Sequence, residues 1–459
     1  MLVKEENNFL EGPIFPSLMR FAMPVLFAMF LQATYGAVDL LVVGKYAGAA
    51  DVSAVATGSQ AMLIINGIII GLSMGTTVLL AQKIGERDEG GAANVIGATF
   101  WIFSILAIIL SIIMISLAPK IAITMNAPQE ALEKTINYIT ICSIGTVFIV
   151  AFNVISSIFR GFGNSRSPLL FVAIACFVNI IADIVFVKIL GMDSSGTAIA
   201  TILAQAVSVI FSLLLIFKVG FPFPFSKENL KFDSAIAKEV IRLGSPIALQ
   251  DMCNEVSFLV LIGIVNSLGL TASAGVGVAE RLVMFMLLIP MAYMSSISAF
   301  VAQNTGAGKH ARAKKTMWVG MSTAAVFGAT MFYLSFFHGG KLSSIFTSDP
   351  AVIGASTSFL KATAIECLVF SVAFCFTGYF NGIGRTKFVM VQGILSIFLV
   401  RIPYAYMASK AATPTLFNIG MSAAWTAIFT LVLCIGYYII LGQKERKETR
   451  ILKAREAKV

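Results

Sequence analysis

The sequence predicts an all-α integral membrane protein, with twelve transmembrane helices arranged as two pseudo-symmetric six-helix bundles. Hydrophobic residues make up 58% and charged residues 12% of the 459 residues, whereas soluble domains are near half apolar and a quarter charged. Twelve apolar windows are long enough to cross a bilayer, and motifs of the first half recur in the second. Helices are expected because they satisfy their own backbone hydrogen bonds in lipid, and the alternation typical of membrane strands is absent.

The twelve windows are separated by short connections, apart from one longer segment in the middle of the chain. In order they cover residues 16–43, 54–81, 94–118, 135–159, 167–189, 196–218, 243–266, 275–304, 316–338, 355–380, 388–409 and 418–442. The middle segment carries mixed charges and two prolines, and an interfacial amphipathic helix is considered there. The predicted parts are an N-lobe over 1–218, a cytoplasmic linker over 219–242, a C-lobe over 243–442 and a basic cytoplasmic tail over 443–459.

The distribution of positive charge predicts the orientation in the membrane. If both termini are cytoplasmic, the inner side carries 24 of the 33 Lys and Arg residues and the outer loops carry 7. The positive-inside rule therefore predicts cytoplasmic termini and a multi-pass protein of the plasma (inner) membrane. The net charge of +10 lies in loops and tails, which indicates membrane lipid as a partner rather than nucleic acid. The six cysteines lie in apolar segments without metal-type spacing and are interpreted as free thiols.

Two motifs repeat between the halves at one spacing. LAQKIG at 80–85 matches VAQNTG at 301–306, and FRGFGNS at 159–165 matches FNGIGRT at 380–386, each 221 residues apart. Since each half holds six spans, both halves insert the same way up, as in many secondary transporters with parallel repeats. A substrate site is expected between two such lobes.

Four oxygen-bearing side chains are predicted at one depth in the first half. Asn179 and Asp183 are four residues apart and share a helix face. Asp183 lies five residues before Lys188, which places it roughly 8 Å below the membrane boundary. Asp39 in the first span and Thr201 in the sixth lie at similar depth. Because buried carboxylates are costly in a membrane, we expect a proton or ion site.

The repeated motifs, VDLLVVG in the first span and NIIADIVF in the fifth resemble those of the MATE family of multidrug and toxic-compound extrusion transporters. The similarity covers nearly the whole chain and its twelve spans. It implies a MATE/MOP-type fold and the DinF-like or a related bacterial and archaeal branch. In that branch an N-lobe cation site uses the residues that match Asp39, Asn179, Asp183 and Thr201.

The same resemblance implies further residues in each lobe. Tyr138 and Asn153 match residues that line the N-lobe substrate cavity, and Pro24 matches a proline at which the first span can bend. In the C-lobe, Glu255 resembles an acid of the NorM-like branch, and Glu366 is the only acid inside span ten.

Arg401 lies within span eleven, and two interpretations of it stay open. It is a C-lobe candidate with Glu255 and Glu366, or it neutralises one of these acids structurally. Glu280 and Arg281 lie near the outer end of span eight, where a structural pair is also possible.

These observations predict a secondary active antiporter that exports amphipathic or cationic xenobiotics in exchange for H⁺ or Na⁺ by alternating access. A paired carboxylate site suits a proton, while the Asn and Thr oxygens equally suit sodium, so the coupling ion stays open. No cofactor and a monomeric state are expected. GAGKH has the wrong spacing for a phosphate-binding loop, and no nucleophile–base pair appears, which argues against an enzyme. A flippase of a lipid-linked precursor or polysaccharide is the alternative, and repeated halves with buried acids argue against a channel.

Overall fold

The computed structural model describes residues 9–456, with side chains up to residue 447, and its regular structure over that range is helical. The α-helices are α1 (Ile14–Tyr46), α2 (Ala49–Gly85), α3 (Glu89–Thr124), α4 (Leu132–Ile144), α5 (Thr146–Gly161), α6 (Arg166–Asp183), α7 (Asp193–Val219), α8 (Ser234–Asn266), α9 (Leu270–Gly306), α10 (His310–Ser343), α11 (Pro350–Gly382), α12 (Thr386–Ser396), α13 (Ile402–Ser409) and α14 (Leu416–Glu456). A 3₁₀-helix covers Lys227–Leu230, and π-helical segments cover Ile184–Ile189 and Ile397–Arg401.

These helices supply the twelve predicted spans. Within the described residues, eleven helical segments are long and apolar enough to cross a membrane. The twelfth span is the pair α4 and α5, which meet at a bend of 50°. The all-helical, twelve-span fold class is therefore confirmed, although one span is broken where the sequence predicted a single helix over 135–159.

The chain forms two compact units whose boundaries cross the sequence repeat. The first unit contains the chain up to Glu255 together with two later segments, Ser295–Val319 and Tyr379–Lys387. The second contains Val256–Met294, Gly320–Gly378 and the chain from Phe388 onward. The predicted N-lobe and C-lobe follow the sequence repeat, whereas the two compact units follow contacts in space. The lobe boundaries therefore remain a prediction.

In the first unit, α1 to α7 pack as one bundle. Helix α6 lies against both α1 and α7, and α2 lies against α3, α4 and α5. Buried small side chains let these helices approach closely, and the buried apolar core runs along α2, α3 and the α4–α5 pair. This packing brings α1, α6 and α7 together although they are far apart in sequence.

A short strap before α1 packs against the second half of the sequence within the same unit. Phe9 is fully buried and stacks on Phe300. Its carbonyl accepts hydrogen bonds from Asn304 Nδ2 at 3.0 Å and Arg312 Nε at 2.8 Å. The guanidinium of Arg312 also donates to the carbonyls of Glu11 and Gly12.

The first long helix after the middle of the chain begins inside the predicted linker. Helix α8 begins at Ser234, nine residues before the expected span at 243–266. Asp233 Oδ1 accepts hydrogen bonds from the backbone N–H groups of Ala235 and Ile236, so it caps the helix at this earlier point. The 219–242 segment therefore holds a short 3₁₀ turn and the first nine residues of α8.

The basic tail continues the last helix. Helix α14 extends from Leu416 through Glu456, well past the end of its apolar window at 442. The last three residues of the predicted tail, 457–459, lie outside the described residues.

Candidate cation site in the N-terminal bundle

Three packed helices position the four predicted site residues. Asp39 lies on α1, Asn179 and Asp183 lie on α6, and Thr201 lies on α7. Since α6 packs against both α1 and α7, its i and i+4 side chains lie within reach of both neighbours.

The four side chains meet in the bundle interior. Asp39 is 5% exposed, Asn179 1% and Asp183 0%. Thr201 Oγ1 donates to Asp39 Oδ2 at 3.5 Å, and Asp39 also interacts with the side chains of Asn179 and Asp183. The structure thus brings all four predicted residues together.

Five buried polar atoms at this site have no hydrogen-bond partner. They are Asp39 Oδ1, both carboxylate oxygens of Asp183 and both amide atoms of Asn179. An unsatisfied buried polar atom costs about 1–3 kcal/mol, and more when it is charged. A proton or a cation bound here would offset this cost.

The backbone changes its helical pitch directly after Asp183. Helix α6 ends at Asp183, and the π-helical segment Ile184–Ile189 completes the span. π-helical turns widen a helix locally and are frequent at functional sites. The periodicity of the sequence shows only an apolar run here, so this feature was not predicted.

Two neighbours of the site were missed from the sequence. Tyr35 lies four residues before Asp39 on α1 and interacts with both Asp39 and Gln205. Gln205 is 6% exposed, four residues after Thr201 on α7, and its Oε1 has no hydrogen-bond partner. Their i±4 spacing from predicted site residues is the signal that could have identified them.

The three remaining N-lobe candidates differ in their contacts with the site and in their distance from it. Tyr138 is 3% exposed, and its hydroxyl shares a hydrogen bond with Ser59 Oγ at 3.0 Å. It also interacts electrostatically with Asp39. Asn153 is 9% exposed, and its amide donates to the carbonyl of Ile149 in its own helix at 2.9 Å. Pro24 lies inside α1, about fifteen residues before Asp39, or roughly 22 Å along the helix axis.

The C-terminal candidates separate into two groups. Glu255 interacts with Asp251, one turn earlier on α8, an acid that sequence reasoning did not select. Glu366 is 6% exposed on α11 and interacts with Arg401, which ends the second π-helical segment. Glu280 interacts with the same two residues, so this cluster holds two acids and one arginine.

An ion-pair cluster ties three helices of the N-terminal bundle near the predicted outer end. Lys134 Nζ lies 2.7 Å from Asp51 Oδ2 and 3.2 Å from Asp193 Oδ2. Asp51 Oδ1 accepts from the backbone N–H of Ser194 at 3.1 Å. These bonds join the starts of α2, α4 and α7, and they position the helix that carries Thr201.

The N-terminal site suits a proton or a small hard cation. Two close carboxylates raise each other's proton affinity, and carboxylate, amide and hydroxyl oxygens are the ligands that hard cations take. Among residues 9–447 there is no cluster of three or more His, Cys, Asp or Glu side chains that could hold a metal ion. The oxygen atoms of the site differ from the nitrogen and sulfur ligands that transition-metal centres mainly take.

Comparisons with known proteins agree with this architecture. The family model MatE matches residues 24–185 and 246–407. The probable multidrug resistance protein YpnP of Bacillus subtilis is 26% identical over 432 residues, covering 94% of this chain and 96% of that protein. The probable multidrug resistance protein NorM of Thermotoga maritima is 26% identical over 428 residues, covering 91% and 89% respectively.

A solved structure has the same fold. It shows an outward-facing conformation of a multidrug resistance MATE family transporter of the MOP superfamily, with a TM-score of 0.89 and 20% identity. The match covers 97% of this chain and 99% of that one.

Proposed function

The chain belongs to the MATE family of transporters, and from this premise we propose that it is a secondary active antiporter that exports amphipathic or cationic xenobiotics in exchange for H⁺ or Na⁺. The observation that carries the proposal is the buried pair Asp39 and Asp183, whose unpaired oxygens lie beside Asn179 and Thr201. The multidrug resistance named for its relatives supports the substrate class. The expected location is the plasma membrane, and the expected working unit is a monomer.

The cation site supplies a means of coupling. A cation entering from outside neutralises the buried carboxylates and lowers the cost of burying them. One elementary charge crossing 100 mV supplies about 2.3 kcal/mol. If a state that exposes the site outward binds the cation and a state that exposes it inward releases it, this energy drives the export of substrate against its gradient.

The position of the site on three helices links ion binding to helix movement. Asp39 on α1 interacts with Thr201 on α7 and with Asn179 and Asp183 on α6. A ligand that bridges these helices shifts the bundle toward the arrangement in which all its oxygens reach the ion. We therefore expect ion occupancy to change the packing of α1 against α6 and α7.

The test is efflux of ethidium from proteoliposomes under an imposed proton gradient or, separately, an imposed sodium gradient. We expect one gradient to drive efflux in the parent protein. Asp39→Asn and Asp183→Asn should each reduce that efflux at least a hundredfold, because each removes the charge that the cation compensates, while folded protein is still recovered from the membrane.

The matched control is Asp88→Asn, which changes an acid in the turn before α3. Asp88 Oδ1 accepts a hydrogen bond from the backbone N–H of Gly91 at 2.8 Å, and an asparagine oxygen keeps this cap. Efflux should remain at the parent level. Full activity in both Asp39→Asn and Asp183→Asn would contradict the site, and absence of efflux under either gradient would favour the flippase alternative.

A further inference from the structure

Helices α2 and α9 approach backbone to backbone at their C-terminal ends, which the charge distribution predicts to be cytoplasmic. A Cβ atom at Gly85 would overlap the carbonyl of Gln303, and one at Gly306 would overlap the carbonyl of Gln82. Each glycine is the last residue of its helix. Only glycine permits this approach, and the two contacts are related by the repeat.

The same two glutamines each cap a helix of the opposite half. Gln82 Nε2 donates to the carbonyl of Gly382 at 3.1 Å, and Gln303 Nε2 donates to the carbonyl of Gly161 at 2.9 Å. Because a carbonyl only accepts, the amide nitrogen has to face it in both cases. All donor and acceptor pairs lie within the first compact unit.

The two carbonyls are available because of how their helices end. At the end of α5, the backbone N–H groups of Gly163 and Asn164 bond the carbonyls of Arg160 and Phe159, as in a Schellman motif. The carbonyl of Gly161 is left without a backbone donor, and Gln303 supplies one. Helix α11 ends with the same bonding pattern, so each half leaves one acceptor that the other half fills.

We propose that Gln82 and Gln303, with the glycine crossing, form the inner gate of the transport cycle. This inference rests on the proposed function only in requiring that the inner end opens. Every bond of the gate joins one half of the repeat to the other, so a movement of one half against the other breaks both bonds together. The glycines carry no side chain that interlocks, so the helices part without a rotamer change.

The gate is uncharged, and this separates it from the cation site. Both bonds join neutral amide and carbonyl groups, which do not titrate, so they carry no net charge through the membrane field. Opening of the gate is therefore controlled by movements that begin elsewhere, such as those at the acid pair.

The first test is a pair of glycine substitutions read by distance. Spin labels are placed at Glu89→Cys and Lys387→Cys, both exposed at this end of the first unit, after the native cysteines are replaced. In Gly85→Ala/Gly306→Ala, the added Cβ atoms overlap the facing carbonyls, and we expect the label distance to lengthen. Gly277→Ala is the matched control, because Gly277 is on α9 and has open space around it.

The Gly277→Ala control separates the effect of the clash at the crossing from the general effect of alanine in a helix. Alanine is intrinsically better than glycine in a helix, so Gly277→Ala should leave the distance unchanged and the melting temperature equal or higher. The double alanine variant should change the distance and lower ethidium efflux at least tenfold. A folded double variant with the parent distance distribution would overturn the proposal.

The second test removes the capping bonds without adding a clash. One net hydrogen bond corresponds to roughly a fivefold change in an equilibrium. Gln82→Leu and Gln303→Leu should each raise the open population about fivefold, and the double variant roughly twenty-fivefold. Gln392→Leu is the control, since Gln392 is buried and its amide donates to Val389 within its own helix.

The outcomes separate this proposal from the proposed function. A lengthened distance in a protein that drives no efflux under either gradient would support the gate and contradict the antiport. Efflux in the parent with unchanged distances in both the alanine and the leucine double variants would support antiport and overturn the gate. A fall in melting temperature without any change of distance would likewise overturn it, since it assigns the glutamines a structural role alone.

Discussion

Lys134 is the residue on which the ion-pair cluster of the N-terminal bundle depends. It is 36% exposed, whereas its partner Asp51 is 3% exposed and Asp193 is 58% exposed. A buried carboxylate that loses its cation is destabilised far more than an exposed one. The two ion pairs of Lys134 therefore contribute unequally to stability.

Replacing Lys134 tests this inequality. Lys134→Met should lower the free energy of unfolding by about 2 kcal/mol, because Asp51 is left buried without a positive partner. Asp193→Asn removes only the exposed pair and should cost about 0.5 kcal/mol. Thermal unfolding in detergent measures both variants, and an equal effect of the two would contradict this account.

Asp88, in the turn between α2 and α3, makes a pH-dependent contribution to the free energy of unfolding. The hydrogen bond from the backbone N–H of Gly91 holds the pKa of the Asp88 carboxyl below its ordinary value. Lys83 also lowers this pKa, and the loss of some solvent around the carboxyl opposes both effects. A depressed folded pKa means that the ionised form stabilises the folded state. This contribution is present above the unfolded pKa and is lost as the pH falls through the folded pKa.

Asp88→Ala should reveal this dependence. At pH 7 the variant should unfold with about 1 kcal/mol less free energy than the parent, which is the usual worth of an N-cap. The difference should begin to shrink below about pH 4, where the carboxyl of the unfolded parent takes up a proton, and should vanish once the folded carboxyl, whose pKa is lower, is protonated too. Thermal unfolding across this pH range measures it, and a difference that stays constant down to pH 3 would contradict the assignment.

At the scale of the element, the break between α4 and α5 lies at Gly145. A Cβ atom at Gly145 would overlap the side chain of Ile202 on α7. Ile202 is adjacent to Thr201, which donates to Asp39. The bent span therefore packs directly behind one wall of the candidate cation site.

Gly145→Ala should disturb that wall. Overpacking of this kind costs about 1–3 kcal/mol, and displacement of α7 should reduce ethidium efflux roughly tenfold by moving Thr201 away from Asp39. Adding Ile202→Ala makes room for the new methyl group, so the double variant should recover part of both losses. Equal stability and efflux in Gly145→Ala and the parent would show that this contact does not determine the bend.

At the scale of the whole molecule, positive charge predicts which way the chain crosses the membrane. Both termini are expected in the cytoplasm, with Lys227 in the linker on the inner side and Lys410 in an outer loop. Both residues are exposed. A single chain orientation then accounts for the position of the proposed inner gate.

Labelling of introduced cysteines in intact cells tests the orientation. A membrane-impermeant maleimide should label Lys410→Cys in intact cells and Lys227→Cys only after lysis. The parent, whose native cysteines are buried or half-buried, provides the background. The opposite pattern would place the termini outside and the proposed gate at the outer end.

The class of the protein and the residues of its candidate cation site could be predicted from the sequence alone. Apolar length predicts spans, and the cost of a carboxylate in lipid singles out Asp39 and Asp183 without knowledge of their neighbours. The four-residue spacing of Asn179 and Asp183 predicts that they share a face of one helix. These inferences are local, because they depend on the residue type and on the helix that carries it.

Which distant groups meet could be learned only from the packing of the helices. Tyr35 and Gln205 join the site because α1 and α7 pack against α6 and against each other. Gly145, at the break between α4 and α5, faces the side chain of Ile202 on α7. The repeat at 221 residues was visible in the sequence, but the exchange of glutamine caps between the halves was not. Such contacts depend on how helices far apart in the chain are placed against one another, and neither spacing nor composition records that placement.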